Sequence, residues 1–207
     1  MAQPEPTLDV ERSYFDNGAR VVAGIDEVGR GALAGPVTIG VVAIASDVTD
    51  IPKGLRDSKL MTPARREAMV PVVQEWAHAY ATGSATAQEI DKFGIMSALG
   101  LAASRALAML GVVPDVVIVD GNTAFIVEEE SGPRVVTHVK ADQNIACVAA
   151  ASVLAKVERD EYMTSLHDAY PHYGWSSNKG YGAKVHTDAI REHGTCDFHR
   201  TSWNLLR

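Results

Sequence analysis

The sequence is poor in cysteine, and its histidines form no recognisable zinc pattern. Its two cysteines, Cys147 and Cys196, lie far apart and belong to no CxxC pair, and none of its 7 histidines is part of an HExxH motif. This composition excludes a disulfide framework, argues against a structural zinc site and favours a reducing compartment. A chain of 207 residues can instead rely on its core, because a domain of this size buries roughly 70% of its unfolded surface.

Long hydrophobic runs are also absent. No stretch of about 18 apolar residues occurs, so no membrane span is predicted. The first residues, MAQPEPTLDVERSYFDNG, lack the apolar centre of a secretory signal. We therefore expect a cytoplasmic, monomeric protein without a membrane partner. Residues 1–18 are predicted to be a polar tail or a short first turn, and residues 19–207 to form one domain.

An excess of basic residues is missing as well, since the formal net charge is -7. Taken alone, this charge argues against nucleic-acid binding, because phosphate contacts favour basic domains. The charges are unevenly placed, however. The N-terminal tail is acidic, whereas the region near the C-terminus is rich in basic residues, namely Lys179, Lys184, Arg191, Arg200 and Arg207. Since some carboxylates can also be metal ligands, net charge does not decide whether the protein binds nucleic acid.

Short apolar runs rich in β-branched residues predict strands at residues 19–26, 37–45, 116–120 and 134–140. The first two should be antiparallel neighbours, because too few residues separate them for a crossover helix. Helices are predicted from Thr62-Pro63 to about residue 80, with a break or kink at Pro71, and at residues 92–110, 142–167 and 185–194. Residues 81–91 are predicted as a short extended piece and 171–184 as a loop. This order predicts an α/β fold, a mixed sheet flanked by helices.

Four carboxylates occupy predicted strand exits. Asp26 and Glu27 follow the first strand, Asp120 ends a later one, and Asp142 follows another and opens a helix. Ligands usually bind at strand ends of such sheets, although acidic residues are also common at turns and helix caps, so the pattern alone leaves both interpretations open. Two carboxylates about 5 Å apart repel by roughly 3 kcal/mol at an effective dielectric near 20. A convergent set would need divalent cations, and all-oxygen ligands suit Mg²⁺ or Mn²⁺.

A glycine-rich loop, GRGALAG at residues 29–35, follows the first strand. Such a pattern invites comparison with dinucleotide-binding loops, but Pro36 and a β-branched run come next, so no helix N-terminus is available for a pyrophosphate. The glycines can instead let the backbone approach a ligand closely. A tight turn with a solvated arginine is the structural alternative.

Six blocks of this sequence resemble those of the ribonuclease HII family. In the family's order they are GIDEVGRGALAGPV (24–37), LRDSKLMTPARRE (55–67), VDGN (119–122), KADQN (140–144), AAASVLAKVERD (149–160) and NKGYGAKVHTDAIREHG (178–194). The resemblance covers the chain from about residue 20 to its end. It departs from the family's usual pattern at Ala32, where proline is usual, and at residues 199–203, where HRTSW replaces HRRSF.

The resemblance implies a ribonuclease-H-like catalytic domain with a C-terminal, substrate-binding helical segment. It implies that Asp26, Glu27, Asp120 and Asp142 are catalytic and hold Mn²⁺ or Mg²⁺. The expected substrates are RNA–DNA hybrids and duplex DNA with embedded ribonucleotides, as in ribonucleotide excision repair. Two-metal-ion hydrolysis on the 5′ side of the ribonucleotide would leave 3′-OH and 5′-phosphate ends.

The same resemblance implies a set of substrate contacts. Gly29, Arg30 and Gly31 would contact the ribose 2′-OH, which distinguishes RNA from DNA. Tyr181 would stack on a neighbouring sugar. The lysines predicted to meet phosphates are Lys59, Lys179 and Lys184. For each lysine, a solvated surface position is the structural alternative.

Two further hypotheses remain open at this stage. The related ribonuclease HIII family carries an additional N-terminal substrate-binding domain, whereas only about 20 residues precede the first strand here. A non-catalytic module that binds hybrids would have little use for mutually repelling carboxylates. Cleavage of a duplex containing one ribonucleotide separates these hypotheses.

Overall fold

The computed structural model describes residues 5–122, 125–126 and 132–206. Five strands form one sheet: β1 (Val21–Val28), β2 (Val37–Ala45), β3 (Ala79–Ala85), β4 (Val116–Asp120) and β5 (Arg134–His138). The helices are α1 (Asp9–Asp16), α2 (Pro63–Trp76), α3 (Ala87–Phe93), α4 (Ile95–Met109), α5 (Ala141–Asn144), α6 (Ala146–Ser165), α7 (Trp175–Asn178) and α8 (Lys184–His193). Short 3₁₀ turns cover Ser58–Leu60 and Pro171–Tyr173. No helix within these described ranges has the length and apolarity to cross a bilayer.

The sheet has the order β3-β2-β1-β4-β5 and mixes strand directions. As predicted, β1 and β2 are antiparallel, and β3 continues this antiparallel half. On its other side β1 runs parallel to β4, which runs parallel to β5. The predicted α/β class, a mixed sheet flanked by helices with a C-terminal helical segment, is confirmed.

Alternating residues of the sheet enter two separate cores. Val22 of β1 and Ile118 of β4 face α6, whereas Ile25 and Val117 face α4. Two glycines let α6 lie directly on the sheet, because a Cβ at Gly24 would stand 2.4 Å from the Val148 backbone nitrogen and one at Gly40 2.3 Å from the Ala151 carbonyl oxygen. Close contact at these positions fixes α6 against the centre of the sheet.

The N-terminal segment is more ordered than the predicted tail or short turn. It contains α1, and Glu11 of this helix is fully buried. Thr7 pairs with Ile145, and the Glu11 carboxylate accepts a hydrogen bond from the Cys147 backbone N–H at 2.9 Å. The prediction missed this ordered segment because its residues are polar. The groups with which they form hydrogen bonds lie far along the chain, at the start of α6.

Three predicted helices have different boundaries in the structure. The segment predicted as one helix over residues 92–110 is divided at Gly94, whose φ of 79° separates α3 from α4. Helix α3 begins earlier than predicted, within the supposed extended piece, because Thr86 and Glu89 form a capping box. The long helix predicted from Asp142 is interrupted at Ile145, which is extended (φ −116°, ψ 123°). Helix α2 follows the predicted cap, Thr62, and continues through Pro71 without the predicted break. It ends at Trp76 rather than near residue 80, because β3 begins at Ala79.

The C-terminal segment packs against the loop that follows β1. A small core there contains Ala34 of the loop together with Met163, Tyr173, Trp175, Ala189 and Ile190. Ala34 also forms a β-bridge with His199. The predicted loop at 171–184 contains α7, and α8 ends before Gly194 as predicted. These contacts connect the chain's last residues to the glycine-rich loop.

Candidate active site

Three of the four predicted acids converge at one end of the sheet. One ligand atom each from Asp26, Asp120 and Asp142 lies within 4.8 Å of the others. The parallel pairing of β1 and β4, with Ile25 opposite Val119, sets Asp26 beside Asp120. Asp142 comes from α5, and the Ala141 N–H that precedes it donates to Asp120 Oδ1 at 2.6 Å. The helix that follows β5 is thus joined directly to the end of β4.

Asp26 is the most constrained member of this group. Its side chain is nearly inaccessible, and among the described residues its Oδ2 atom has no hydrogen-bond partner. Burial raises the pKa of Asp26 well above its usual value. The neighbouring acids raise this pKa further, whereas the positive charge of Lys59 lowers it. Burial, followed by repulsion from Asp142, also raises the pKa of Asp120. A buried carboxylate oxygen without a partner, among repelling carboxylates, fits a hard divalent cation with oxygen ligands.

Glu27 lies beside this group and is not part of it. Alternation along β1 directs Glu27 toward the face that Ile25 shares with α4, opposite to Asp26. Its Oε1 atom accepts a hydrogen bond from Arg30 Nη1 at 3.3 Å. Burial raises the pKa of Glu27, although Arg30 opposes the shift, and Asp120 adds to it. Glu27 therefore responds to the charge of the acidic group without sharing its geometry.

Lys59 is the predicted phosphate-binding lysine that contacts an acid of the group. Its Nζ atom lies 3.0 Å from Asp142 Oδ2. Burial lowers the pKa of Lys59, but attraction by Asp26 and Asp142 outweighs this and raises it overall. Asp57, which the sequence analysis did not select, is buried and accepts the Lys59 backbone N–H at 2.9 Å. The sequence signal that could have identified Asp57 is its position in the LRDSKL block, which resembles that of the family.

The glycine-rich loop contains glycines that the fold requires, such as Gly29 and Gly35, and one that it does not, Gly31. Gly29 is buried with a φ of 87°, and a Cβ there would stand 2.0 Å from Arg159 Nε. Gly31 is exposed, and a Cβ there would meet no atom within 4 Å. Ala32, at the position where proline is usual in the family, donates its N–H to the Gly29 carbonyl at 3.2 Å. The loop leads into β2, which excludes the dinucleotide-binding geometry.

Two buried arginines that were not predicted to have a role lie beneath this loop. Arg159 of α6 and Arg200 near the C-terminus are both fully inaccessible. Together they donate hydrogen bonds to six backbone carbonyls, those of Gly29, Arg30, Ala34, Gly35, Pro36 and Lys179. Neither forms an ion pair with a carboxylate in the part of the chain that the structure describes. Carbonyl dipoles therefore compensate two buried charges.

The remaining predicted contacts are on the C-terminal segment. The Tyr181 ring lies 5.4 Å from the Arg159 guanidinium, and about a third of the residue is exposed. Lys179 Nζ donates to Thr164 Oγ1 at 2.5 Å and to the Ser176 carbonyl at 2.7 Å. Lys184, on the first turn of α8, is exposed and pairs with Asp188. Arg159 therefore connects Tyr181 and, through a hydrogen bond to its carbonyl, Lys179 to the glycine-rich loop, whereas the ion pair described for Lys184 lies within α8.

His186 and His199 form a buried pair that supports Tyr181. Their Nε2 atoms are 3.1 Å apart, and Trp175 Nε1 donates to His186 Nε2 at 3.1 Å. His186 Nδ1 lies 2.9 Å from the Tyr181 carbonyl oxygen, so it carries the proton of that bond. Burial lowers the pKa of both rings, that of His199 to about 4. These histidines are neutral packing and hydrogen-bonding groups.

Comparisons with known proteins agree with this architecture. A family model described as Ribonuclease HII matches residues 23–206. The chain is 45% identical over 207 residues to ribonuclease HII of Streptomyces avermitilis, with 100% of this chain and 87% of that protein covered. It is 39% identical over 200 residues to ribonuclease HII of Orientia tsutsugamushi strain Boryong, with 97% and 92% covered. The crystal structure of ribonuclease H2 from Pyrococcus horikoshii OT3 is similar, with a TM-score of 0.73, 27% identity and coverage of 90% and 95%.

Proposed function

Because the chain belongs to the ribonuclease HII family of metal-dependent endonucleases that act on RNA–DNA hybrids, we propose that it also incises duplex DNA on the 5′ side of single embedded ribonucleotides. The reaction would be a two-metal-ion hydrolysis that leaves 3′-OH and 5′-phosphate ends. The observation that carries this proposal is one juxtaposition. The converging Asp26, Asp120 and Asp142 are linked through Glu27 to Arg30, on the exposed edge of the glycine-rich loop.

The acidic group is suited to Mg²⁺ or Mn²⁺. Asp26, Asp120 and Asp142 would hold the cations. Glu27 lies outside this group in the metal-free geometry but feels the charge of Asp120, and it is proposed to turn toward the ions and complete the ligand set. When bound, such ions stabilise negative charge on phosphodiester oxygens and lower the pKa of water. Lys59 keeps a positive charge next to Asp142 at neutral pH and is proposed to meet a substrate phosphate.

The glycine-rich loop is proposed to select the ribonucleotide. The backbone of Gly29, Arg30 and Gly31 offers donors and acceptors of the kind that a 2′-OH requires, and the open space at Gly31 permits close approach. Tyr181 is proposed to stack on a neighbouring sugar, and Lys179 and Lys184 to contact phosphates along the duplex. The choice of a ribonucleotide over a deoxyribonucleotide would thus depend on the loop, whereas the affinity for the duplex would come from contacts along the C-terminal segment.

The test compares a DNA duplex containing one ribonucleotide with its all-deoxy twin, in Mg²⁺, in Mn²⁺ and in EDTA. We expect cleavage only of the first duplex, on the 5′ side of the ribonucleotide, and only with a divalent cation. Asp120→Asn should fold and bind the duplex but fail to cut it, because it removes one ligand of the acidic group. Equal cleavage of both duplexes would reject the role of the loop, and near-native turnover by Asp120→Asn would reject that of the acids.

A further inference from the structure

Within the described residues, neither arginine of the buried pair beneath the glycine-rich loop forms an ion pair with a carboxylate, so charge pairing does not explain the role of the pair. Arg200 Nη1 donates to the Arg30 carbonyl at 2.8 Å, and Arg200 Nη2 donates to the Gly29 carbonyl at 2.6 Å. Burying a guanidinium without a carboxylate is costly, and an apolar residue of similar volume is often no less stable. An arginine at this position therefore suggests a task other than stability.

The consequence of these bonds follows from peptide geometry. In a trans peptide the carbonyl of one residue and the N–H of the next point in opposite directions. Because the carbonyls of Gly29 and Arg30 point inward at Arg200, the N–H groups of Arg30 and Gly31 point away from it, toward solvent. Within the described residues, neither N–H has a backbone acceptor, and both residues are exposed. The loop thus presents two unpaired donors next to the open space at Gly31.

The guanidinium is itself held in place from several directions. The Arg200 backbone N–H donates to the Leu33 carbonyl at 3.0 Å, and the Arg200 guanidinium lies 4.7 Å from the Trp203 ring. The next two residues, Thr201 and Ser202, each donate a backbone and a side-chain hydrogen bond to the Asp91 carboxylate. Asp91 on α3 therefore anchors the segment that carries Arg200, including Thr201, which departs from the family pattern.

We propose that Arg200 is a positioning residue for ribonucleotide selection: it pulls the Gly29 and Arg30 carbonyls inward and so presents the Arg30 and Gly31 N–H groups to the ribose. Arg159 supports the same loop from α6 through the carbonyls of Ala34 and Pro36. The inference rests on the proposed selection of a 2′-OH by this loop. It adds that selectivity depends on a buried side chain that does not touch the substrate.

The experiment measures binding without turnover, in the Asp120→Asn protein with Mg²⁺. Fluorescence anisotropy gives Kd for the single-ribonucleotide duplex and for its all-deoxy twin, with and without Arg200→Lys. Lysine keeps the charge but cannot hold two carbonyls in a planar fork. Arg12→Lys is the matched control, because Arg12 is exposed and its guanidinium donates, among the described residues, to the Thr49 carbonyl alone. We expect Arg200→Lys to lower the preference for the ribonucleotide duplex by about tenfold, as for one or two lost hydrogen bonds, and to leave all-deoxy affinity within about twofold.

Three outcomes overturn the inference: an unchanged preference in Arg200→Lys, an equal loss of affinity for both duplexes, or no preference in the parent. If Arg200→Lys does not fold, amide NMR of the parent decides. The Arg30 and Gly31 N–H signals should shift more with the ribonucleotide duplex than with its twin, and equal shifts overturn the inference.

Cleavage by the wild-type protein separates the two proposals. Equal cutting of both duplexes defeats the proposed function, whereas selective cutting with an unchanged preference in the variant defeats only the role of Arg200.

Discussion

Asp26 is the residue at which folding and chemistry conflict most directly. Its side chain is 2% exposed, and burial, aided by the neighbouring acids, raises its pKa well above the usual value. A carboxyl whose pKa is raised on folding contributes stability that is present at low pH and lost as the pH rises through the folded-state pKa. At neutral pH and without a divalent cation, the ionised Asp26 therefore destabilises the fold.

We expect Asp26→Asn to raise the unfolding free energy of the metal-free protein by about 1–3 kcal/mol at neutral pH, because the amide carries no charge to repel Asp120 and Asp142. The variant should also lose most of the rise in Tm that Mn²⁺ gives the wild type, since a ligand that binds only the folded state stabilises it. Thermal melts in EDTA and in Mn²⁺ measure both effects. Asp16→Asn, an exposed substitution on α1, is the control. A wild-type Tm that does not change when Mn²⁺ is added contradicts the prediction.

Gly29 and Gly31 of the loop offer a matched pair of substitutions. Gly31→Ala should change the unfolding free energy by less than about 0.5 kcal/mol, because its Cβ meets nothing within 4 Å, yet it should weaken cleavage of the single-ribonucleotide duplex at least about tenfold. Gly29→Ala should instead cost several kcal/mol, roughly 2–4, because its φ is 87° and its Cβ would collide with Arg159. Urea unfolding and steady-state cleavage of both variants check this. Normal cleavage by Gly31→Ala would contradict ligand approach at that position.

What the sequence could predict at the residue scale depends on how local the signal is. Asp26, Asp120 and Asp142 were predictable because each stands at or near the exit of a recognisable strand. The separate orientation of Glu27 follows from strand alternation, which the adjacency of two acids in the sequence obscured. Arg200 was not predictable, because its acceptors lie 164 or more residues away and are backbone carbonyls, which no side-chain pattern reveals.

At the scale of secondary structure, the strands were easier to predict than the helix boundaries. Short β-branched runs bounded by turns identify β1, β2, β4 and β5. The first three lie mostly in the buried layer, and β5 is a partly exposed edge strand. The boundary between α3 and α4 depends on Gly94 and on the Thr86–Glu89 capping box, which a continuous apolar pattern hides. The break at Ile145 depends on its pairing with Thr7, a contact between distant segments. Tertiary contacts therefore set these boundaries.

Helix α1 supports the active site indirectly, and Glu11 tests this. Glu11 Oε1 accepts the Cys147 N–H in the first turn of α6, where no local side chain caps the helix. Glu11→Ala should lower the unfolding free energy by about 1–2 kcal/mol, since it leaves that donor unpaired. Glu11→Gln keeps an acceptor oxygen and should lose less than half as much. Urea unfolding of both variants measures the difference, and an equal loss would show that the charged carboxylate, rather than an acceptor oxygen, is what stabilises the start of α6.

For the whole molecule, the dependence of stability on pH is a balance between buried groups on which a fall in pH has opposite effects. Burial raises the pKa of Glu11, Asp26 and Asp120, so these carboxyls favour the fold more as the pH falls. His186 and His199 act in the opposite direction, because burial lowers the pKa of both. Acid stability thus depends on two clusters at different places in the molecule, one at the carboxylates and one beneath Tyr181.

The histidine contribution can be isolated with one variant. His199 has a folded-state pKa of about 4 against 6.5 when unfolded, so the unfolded state binds more protons between these values and stability falls as the pH decreases through that window. The wild type should lose about 1–3 kcal/mol relative to His199→Gln between pH 6.5 and 4, although the variant starts less stable. Urea unfolding of both proteins at several pH values gives this difference directly, because the carboxyl contributions are common to both and cancel. Parallel stability curves would mean that the pair titrates normally and that the His186–Tyr181 hydrogen bond does not depend on its neutrality.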